Sequence, residues 1–259
     1  MPRDRQSELL VSQNPAQGIP WPVPEEQSGG FEIDRMFRDR KDAGRQLARA
    51  LRLYRGQDAV VLAIPRGGVE IGYEVATYLD AEFSILVTRK LPLPHNPEAG
   101  FGAIAEDGSR FIYPGAASAL PPAIIDEIVA QQKAEIARRV RVLRDGRPLP
   151  EITQRRVILV DDGIAMGSTM RASIEMCKNR GAADLVVAVP VAGRRVAHAI
   201  KTLVDRLVVL TTPHGFRAVA QVYEHWRDVP DREVLAILDR WHKQQAASQK
   251  PGGASGAHT

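Results

Sequence analysis

Five short apolar runs separated by helical patterns leave this 259-residue chain few folds to choose from. The runs are Ala59 to Ile64, Phe83 to Val87, Val157 to Val160, Leu185 to Val189 and Leu207 to Leu210. They are rich in Val, Ile and Leu and show no polar alternation, the pattern of strands buried on both faces. The stretch Val69 to Leu79 between the first two places Ile71, Val75 and Leu79 on one helical face. A strand, a helix and a second strand in that order pair in parallel, because a crossover must return the chain to the same edge. The spacing therefore predicts a doubly wound α/β fold with a five-stranded parallel sheet.

Other segments fit around that sheet. Asp39 to Tyr54 reads as a helix with Ala43, Leu47, Ala50, Leu51 and Tyr54 aligned, and Gly56 as its stop. Arg194 to Leu203 and Val234 to Trp241 read as further helices, the last with Asp231 as its cap. The stretch Leu91 to Gly108 breaks the rhythm with prolines at 92, 94 and 97 and glycines at 100, 102 and 108. It reads as an irregular loop with a short hairpin around Ile104 and Phe111 to Tyr113, opening an insertion over 91–150. The insertion continues in a long helix, Pro121 to Leu143. One face of that helix carries Lys133, Arg138, Arg139, Arg141 and Arg144, read as a solvated charged face rather than a nucleic-acid surface. Residues 1–30 hold five prolines and no hydrophobic period, and read as a disordered leader. Residues 244–259 read as a disordered tail. The folded domain is expected over 31–243.

Composition narrows the classes. A formal net charge of +4 and a pI near 9.4 suit an anionic small substrate as readily as nucleic acid. The single cysteine, Cys177, excludes a disulfide framework and reads as a buried inert thiol. The first ten residues are polar, and no apolar run reaches the ~18 residues of a membrane span. A soluble, cytoplasmic protein with no membrane partner is expected. His95, His214 and His225 lack metal-ligand spacing. No GxxxxGK[ST] occurs, which removes the P-loop hydrolases.

The chemistry concentrates where strands should end, since open parallel sheets bind ligands there. Four loops leave such ends: Pro65 to Gly68, Arg89-Lys90, Asp161 to Thr169 and Pro190 to Gly193. Gly163 to Thr169 is a small-residue loop opening a helix, and free N–H groups at a helix start suit a phosphate. Ala165, Met166 and Gly167 lie in it, and Ser168 and Thr169 add hydroxyl donors. Two adjacent carboxylates, Asp161 and Asp162, repel each other in a desolvated crevice unless donors or a cation meet them. Ribose hydroxyls or a bound magnesium would do so.

These residues resemble a family. VILVDDGIAMGST is similar to the phosphoribosyl pyrophosphate (PRPP) signature of the type I phosphoribosyltransferases. AIPRGG resembles that family's pyrophosphate loop, and VTRK its strand ending in a basic residue. FRDRKDAG, PRGGVEIG, NPEAGFGAIAEDG and YEHW resemble a bacterial subgroup whose acceptor is undefined. The resemblance covers about 37–227. It implies a small hood over the sheet and a mobile catalytic loop in place of 91–115. It implies Mg-dependent transfer of the 5-phosphoribosyl group from PRPP to a nitrogenous base or amine, with release of pyrophosphate. Catalytic roles would fall on Asp161, Asp162, Lys90 and Arg66. Asp161 and Asp162 would hold the ribose hydroxyls. Gly163 and Ala165 to Thr169 would hold the 5-phosphate. Arg66, Gly67, Gly68, Arg89 and Lys90 would hold pyrophosphate. Magnesium would be held through PRPP, with Asp161 and Asp162 as candidate protein ligands. A loop like 65–68 often contains a non-proline cis peptide. A homodimer is also implied.

Two positions depart from the family pattern. Met166 stands where many members carry Thr, and Ala165 stands where hypoxanthine-guanine enzymes carry an acid. The second argues against that specificity and leaves other purine-like acceptors open. Val191, Phe216 and Tyr223 are candidates for gripping the acceptor, and Glu98 and Glu106 for acid–base work. The alternative reading is a non-catalytic PRPP-sensing or RNA-binding regulator on the same fold, with the basic face of the long helix as its RNA surface.

Overall fold

The structure is a computed structural model, and it describes residues 36–248. The leader expected over 1–30 and the end of the expected tail, 249–259, lie outside the described residues. The chain runs α1 (Arg40–Ala50), β1 (Ala59–Ala63), α2 (Gly68–Leu79), β2 (Glu82–Ile85), β3 (Thr88–Leu93), β4 (Asn96–Ala105) and β5 (Arg110–Ile112). It continues through α3 (Pro114–Ala119), α4 (Pro122–Arg144), β6 (Arg156–Val160), α5 (Ser168–Asn179), β7 (Asp184–Val191), α6 (Arg194–Lys201), β8 (Arg206–Thr211) and α7 (Asp231–Ser248).

The main sheet has the order β2-β1-β6-β7-β8 with every pairing parallel, as the apolar runs predict. The period of two along each strand sorts side chains to opposite faces. Val61, Ala63, Ile158, Val160, Val186 and Ala188 face the layer that holds α1, α2 and α7. Val60, Leu62, Val157, Leu159, Val187 and Val189 face α5 and α6. The three central strands are buried on both faces, which is why they read as unbroken apolar runs. Cys177 of α5 is fully buried, and burial pushes its thiol up to about 12, so it is an inert core residue.

Register sets the site. Ala63 pairs with Val160, and Val160 with Ala188. The loops that follow β1 and β6 therefore leave the sheet side by side at its carboxyl edge.

The interrupted stretch differs most from expectation. Val87 does not end in Thr88 to Lys90 as one strand. The main-sheet strand stops at Ile85, and Thr88–Leu93 opens a separate antiparallel sheet, β3-β4-β5. The hairpin expected around Ile104 and 111–113 is present as β4-β5, and most of the remaining expected loop is sheet as well. Its base is buried: Leu91, Phe101, Ala103 and Ile104 are fully enclosed, and the Thr88 and Ser173 hydroxyls lie 2.8 Å apart. The prolines act locally, with register shifts on either side of Pro92, which has no N–H to give a ladder. β4 meets β5 closely at Gly102, where a Cβ would sit 2.2 Å from the Phe111 carbonyl oxygen. The tip over 94–98 is exposed, as are Asp107 and Arg110 near the β4-β5 turn.

The basic face of α4 is partly internal. Arg138 and Arg139 both pair with Glu135, and Arg144 is buried, donating to Glu106 at 2.9 Å and to the Ile85 carbonyl at 3.0 Å. Glu106 is thereby a buried ion-pair partner rather than a free acid or base. The C-terminal helix runs from Asp231 to Ser248, longer than the expected 234–241, and takes in residues 244–248 of the expected tail. Asp231 is its first residue, not its cap, and its carboxylate lies 3.6 Å from Arg66. Among the described residues no helix is long and apolar enough to cross a membrane.

Candidate active site

The loop after β1 packs directly on the acid pair that follows β6. The Pro65–Arg66 peptide is cis. A Cβ on Gly67 would fall 1.7 Å from Asp162 Oδ2, and one on Gly68 would fall 2.9 Å from Asp161 Cα. Glycine is what lets the two loops touch. Gly67 and Gly68 thus lie against the two aspartates, while the part-exposed Arg66 beside them points its guanidinium to Asp231 at 3.6 Å.

Asp161 and Asp162 are half-buried and unequal. Asp161 Oδ1 accepts from the Asp162 N–H at 2.8 Å, and among the described residues Asp161 has no ion-pair partner. Burial, and then the neighbouring Asp162 charge, push the Asp161 carboxyl well above the usual carboxylate range. Burial also raises Asp162, but the Arg40 guanidinium opposes it, donating from Nε to Oδ2 at 2.9 Å. Arg40 is 5% exposed. Its Nη1 donates to the Arg227 carbonyl at 2.8 Å, and the Trp226 ring covers it at 3.9 Å. Glu70, in the first turn of α2, stands 3.9 Å from Arg40 and 3.7 Å from Arg227.

Nothing in the sequence marks Arg40, Trp226 and Arg227 as neighbours of Asp162. One signal was available: Arg40 lies three and seven residues before Ala43 and Leu47, on the apolar stripe of α1, where a charge needs a partner.

The second loop opens α5. Gly167 has φ +81° and carries no side-chain cap, so the first N–H groups of this helix keep their anion-binding capacity. The loop is pinned to β7: Ile164 N–H donates to the Val191 carbonyl at 2.9 Å, and Gly193 N–H to the Ile164 carbonyl at 3.1 Å. Tyr113, leaving β5, donates its hydroxyl to the Met166 carbonyl at 2.8 Å. No motif or period points to that contact either. Ser168 is buried at the helix start, Ala165 and Thr169 are half-buried, and the Met166 side chain is exposed.

The basic residues stand on β3. Arg89 is half-buried with Nε on Gln132 at 3.2 Å. Burial, and then the charges of Arg139, Arg66 and Arg138, lower its pKa. Lys90 donates to the Glu98 carbonyl in the exposed tip.

A segment from 212 to 230 crosses the carboxyl edge from β8 to α7. Phe216 in it is half-buried, 3.6 Å from where a Gly193 Cβ would be. The other two acceptor candidates present no open face. Val191 is fully buried, packed against Gly163. Tyr223 is 2% exposed between Phe37 and Trp226, and its hydroxyl donates to the Asp162 carbonyl at 2.8 Å. Tyr223 supports the acid pair from beneath, because burial of the ring left that hydroxyl needing an acceptor. His95, His214 and His225 are exposed, and no group of three or more metal-binding side chains occurs among the described residues.

The family model of the phosphoribosyl transferase domain matches residues 35–220, a span that contains both loops and the acid pair. The chain belongs to the phosphoribosyl transferase family. Two Mycobacterium tuberculosis proteins provisionally named as phosphoribosyl transferases, from strains CDC 1551 and H37Rv, are each 41% identical to it over 214 residues. That alignment covers 82% of this chain and 48% of each relative, so the chain spans about half their length. A solved structure from Thermus thermophilus is 36% identical, with a TM-score of 0.68, over 79% of this chain and 98% of that one.

Proposed function

We propose that this phosphoribosyl transferase grips PRPP across the two loops and transfers its 5-phosphoribosyl group to a small nitrogenous acceptor, releasing pyrophosphate. The observation that carries the reading is the acid pair, set between an uncapped helix start and a glycine loop that touches it. The α5 N-terminus and Gly163 to Thr169 receive the 5-phosphate. Asp161 and Asp162 accept from the ribose hydroxyls. The pyrophosphate meets the Gly67-Gly68 backbone, Arg66, Arg89 and Lys90. Arg89 lies among other cations that lower its pKa, a crowding that an anion would relieve.

The donor set fits magnesium, which binds through one or two carboxylates plus substrate phosphates rather than an all-protein cage. Asp161, lacking an ion-pair partner among the described residues, is the group to hold it together with PRPP oxygens. When bound, the metal neutralises charge on the departing pyrophosphate.

In the transfer, the C1–O bond breaks with its electron pair leaving on pyrophosphate, and the acceptor nitrogen forms the new bond to C1 and then loses its proton to solvent. The chain's part is to hold both ends of PRPP, stabilise the leaving charge with Arg66, Arg89 and Lys90, and keep water from C1. The exposed 94–98 tip is the part of the insertion placed to close over the pyrophosphate end. The acceptor sits against Phe216, above Ala165. The ion pairs of Arg138, Arg139 and Arg144 reduce the basic surface that an RNA-binding regulator would use.

The test is PRPP binding and pyrophosphate release with magnesium and a panel of nitrogenous bases. Asp161→Asn with Asp162→Asn should weaken PRPP by at least about a hundredfold, since two charged acceptors are lost. Asp161→Asn alone leaves Arg40 paired and serves if the double variant does not fold. Unaltered PRPP affinity in a folded variant would refute the assignment.

A further inference from the structure

We propose that Arg40 is a positioning residue for the ribose end of PRPP, fixing Asp162 in one orientation and tying it to the segment that crosses the site. This rests on the reading of the acid pair given above. Asp162 Oδ2 takes the Arg40 Nε hydrogen bond and lies where any side chain on Gly67 would be. That oxygen is therefore committed to the floor of the site. Asp161 Oδ1 takes the Asp162 N–H, so Asp162 Oδ1 and Asp161 Oδ2 are left for the ligand.

Arg40 is itself caged. Asp162 lies at one end, the Arg227 carbonyl at 2.8 Å, the Trp226 face at 3.9 Å, and Glu70 at 3.9 Å. A guanidinium held by a carboxylate, a carbonyl and a ring at once cannot follow a ligand; it sets geometry for one. Lysine could not do the same, because a single ammonium lacks the planar fork and the stacking face. The cage also joins distant parts of the chain: the first turn of α1, the first turn of α2, the end of β6 and residues 226–227. The acid pair and the crossing segment thus share one side chain. A cavity of about 260 Å³, lined by Arg40, Lys41, Glu70, Trp226 and Arg227 among others, adjoins it and gives a small cation room to enter if the side chain is removed.

The experiment titrates three probes by calorimetry: PRPP with magnesium, ribose 5-phosphate, and pyrophosphate with magnesium. Arg40→Ala should weaken PRPP and ribose 5-phosphate alike by at least about tenfold while pyrophosphate stays within about twofold of wild type. Guanidinium ion, far below denaturing concentration, should restore part of the PRPP affinity of Arg40→Ala and leave that of the wild type unchanged. If Arg40→Ala does not fold, Arg40→Lys carries the test. It keeps the charge but loses the second bond and the stack, and a several-fold loss confined to the two ribose-containing probes is expected. Wild-type affinity for all three probes in a folded variant overturns the proposal, and so does an equal loss of pyrophosphate. Failure of the wild type to bind PRPP would instead overturn the reading of the acid pair on which it rests.

Discussion

Asp161 is held where a carboxylate is poorly solvated and next to another one, and the ligand-free fold bears that strain. The folded chain keeps a proton on Asp161 at a pH where the unfolded chain has released it. The native state then binds more protons than the unfolded state, so stability falls as pH rises. The contribution is complete below the ordinary carboxylate value and is lost as pH climbs through the raised one. Asp161→Asn removes this titration without removing the hydrogen bond from Asp162 N–H, since an amide oxygen also accepts. The ligand-free variant should melt a few degrees higher than wild type at neutral pH and about equally at low pH. Thermal melts from acid to neutral pH check this; a wild-type-like slope would show that Asp161 is not the strained group. A stabilised variant that no longer binds PRPP is the expected signature of a carboxylate kept for its ligand.

Among the elements, the β3-β4-β5 sheet does more than its place in the chain suggests. Its prolines and glycines interrupt the local periods, so by pattern alone it reads as a loop with only a short hairpin around Ile104 and Phe111 to Tyr113. It folds as sheet because Leu91, Phe101 and Ile104 find a buried surface that exists only once α4 and α5 are in place. Tyr113, the residue between β5 and α3, reaches the Met166 carbonyl and so braces the 163–169 loop from outside the main sheet. The exposed Met166 side chain brings no hydroxyl of its own to that loop. Tyr113→Phe should therefore weaken ribose 5-phosphate and PRPP by about three- to tenfold, the worth of one hydrogen bond, with pyrophosphate unaffected. Calorimetry reads it, and equal affinity in the variant would leave the brace without a role in binding.

At the scale of the whole molecule, the helix α7 closes one face of the sheet. Trp241 is 5% exposed and meets Phe83 and Tyr73 edge-on, and Val234 is fully buried. Trp241→Ala should cost about 3–5 kcal/mol in urea unfolding, as for other large buried rings, while the folded fraction binds PRPP normally because the Trp241 ring packs on Tyr73 and Phe83 and not on the acid pair. Altered PRPP affinity would show that α7 packing reaches the site, through Asp231 and Arg66.

What the sequence determined by itself was periodic or local. Apolar runs of strand length separated by helical stripes specify a parallel sheet, since no other pairing buries both faces of every strand and still connects them through helices. The same logic placed Asp161 and Asp162 and the glycine loop at strand ends, because backbone pattern fixes where a strand stops. Tertiary structure alone decided the partners. Arg40 and Asp162 are 122 residues apart, and Tyr113 and Met166 are 53 apart. The stripe of α1 shows that Arg40 needs a partner but not which one, and nothing periodic points to the Tyr113 contact. Each pair is set by the angle at which separately legible elements pack, and it is packing that turned two adjacent aspartates into one caged carboxylate and one left open to a ligand.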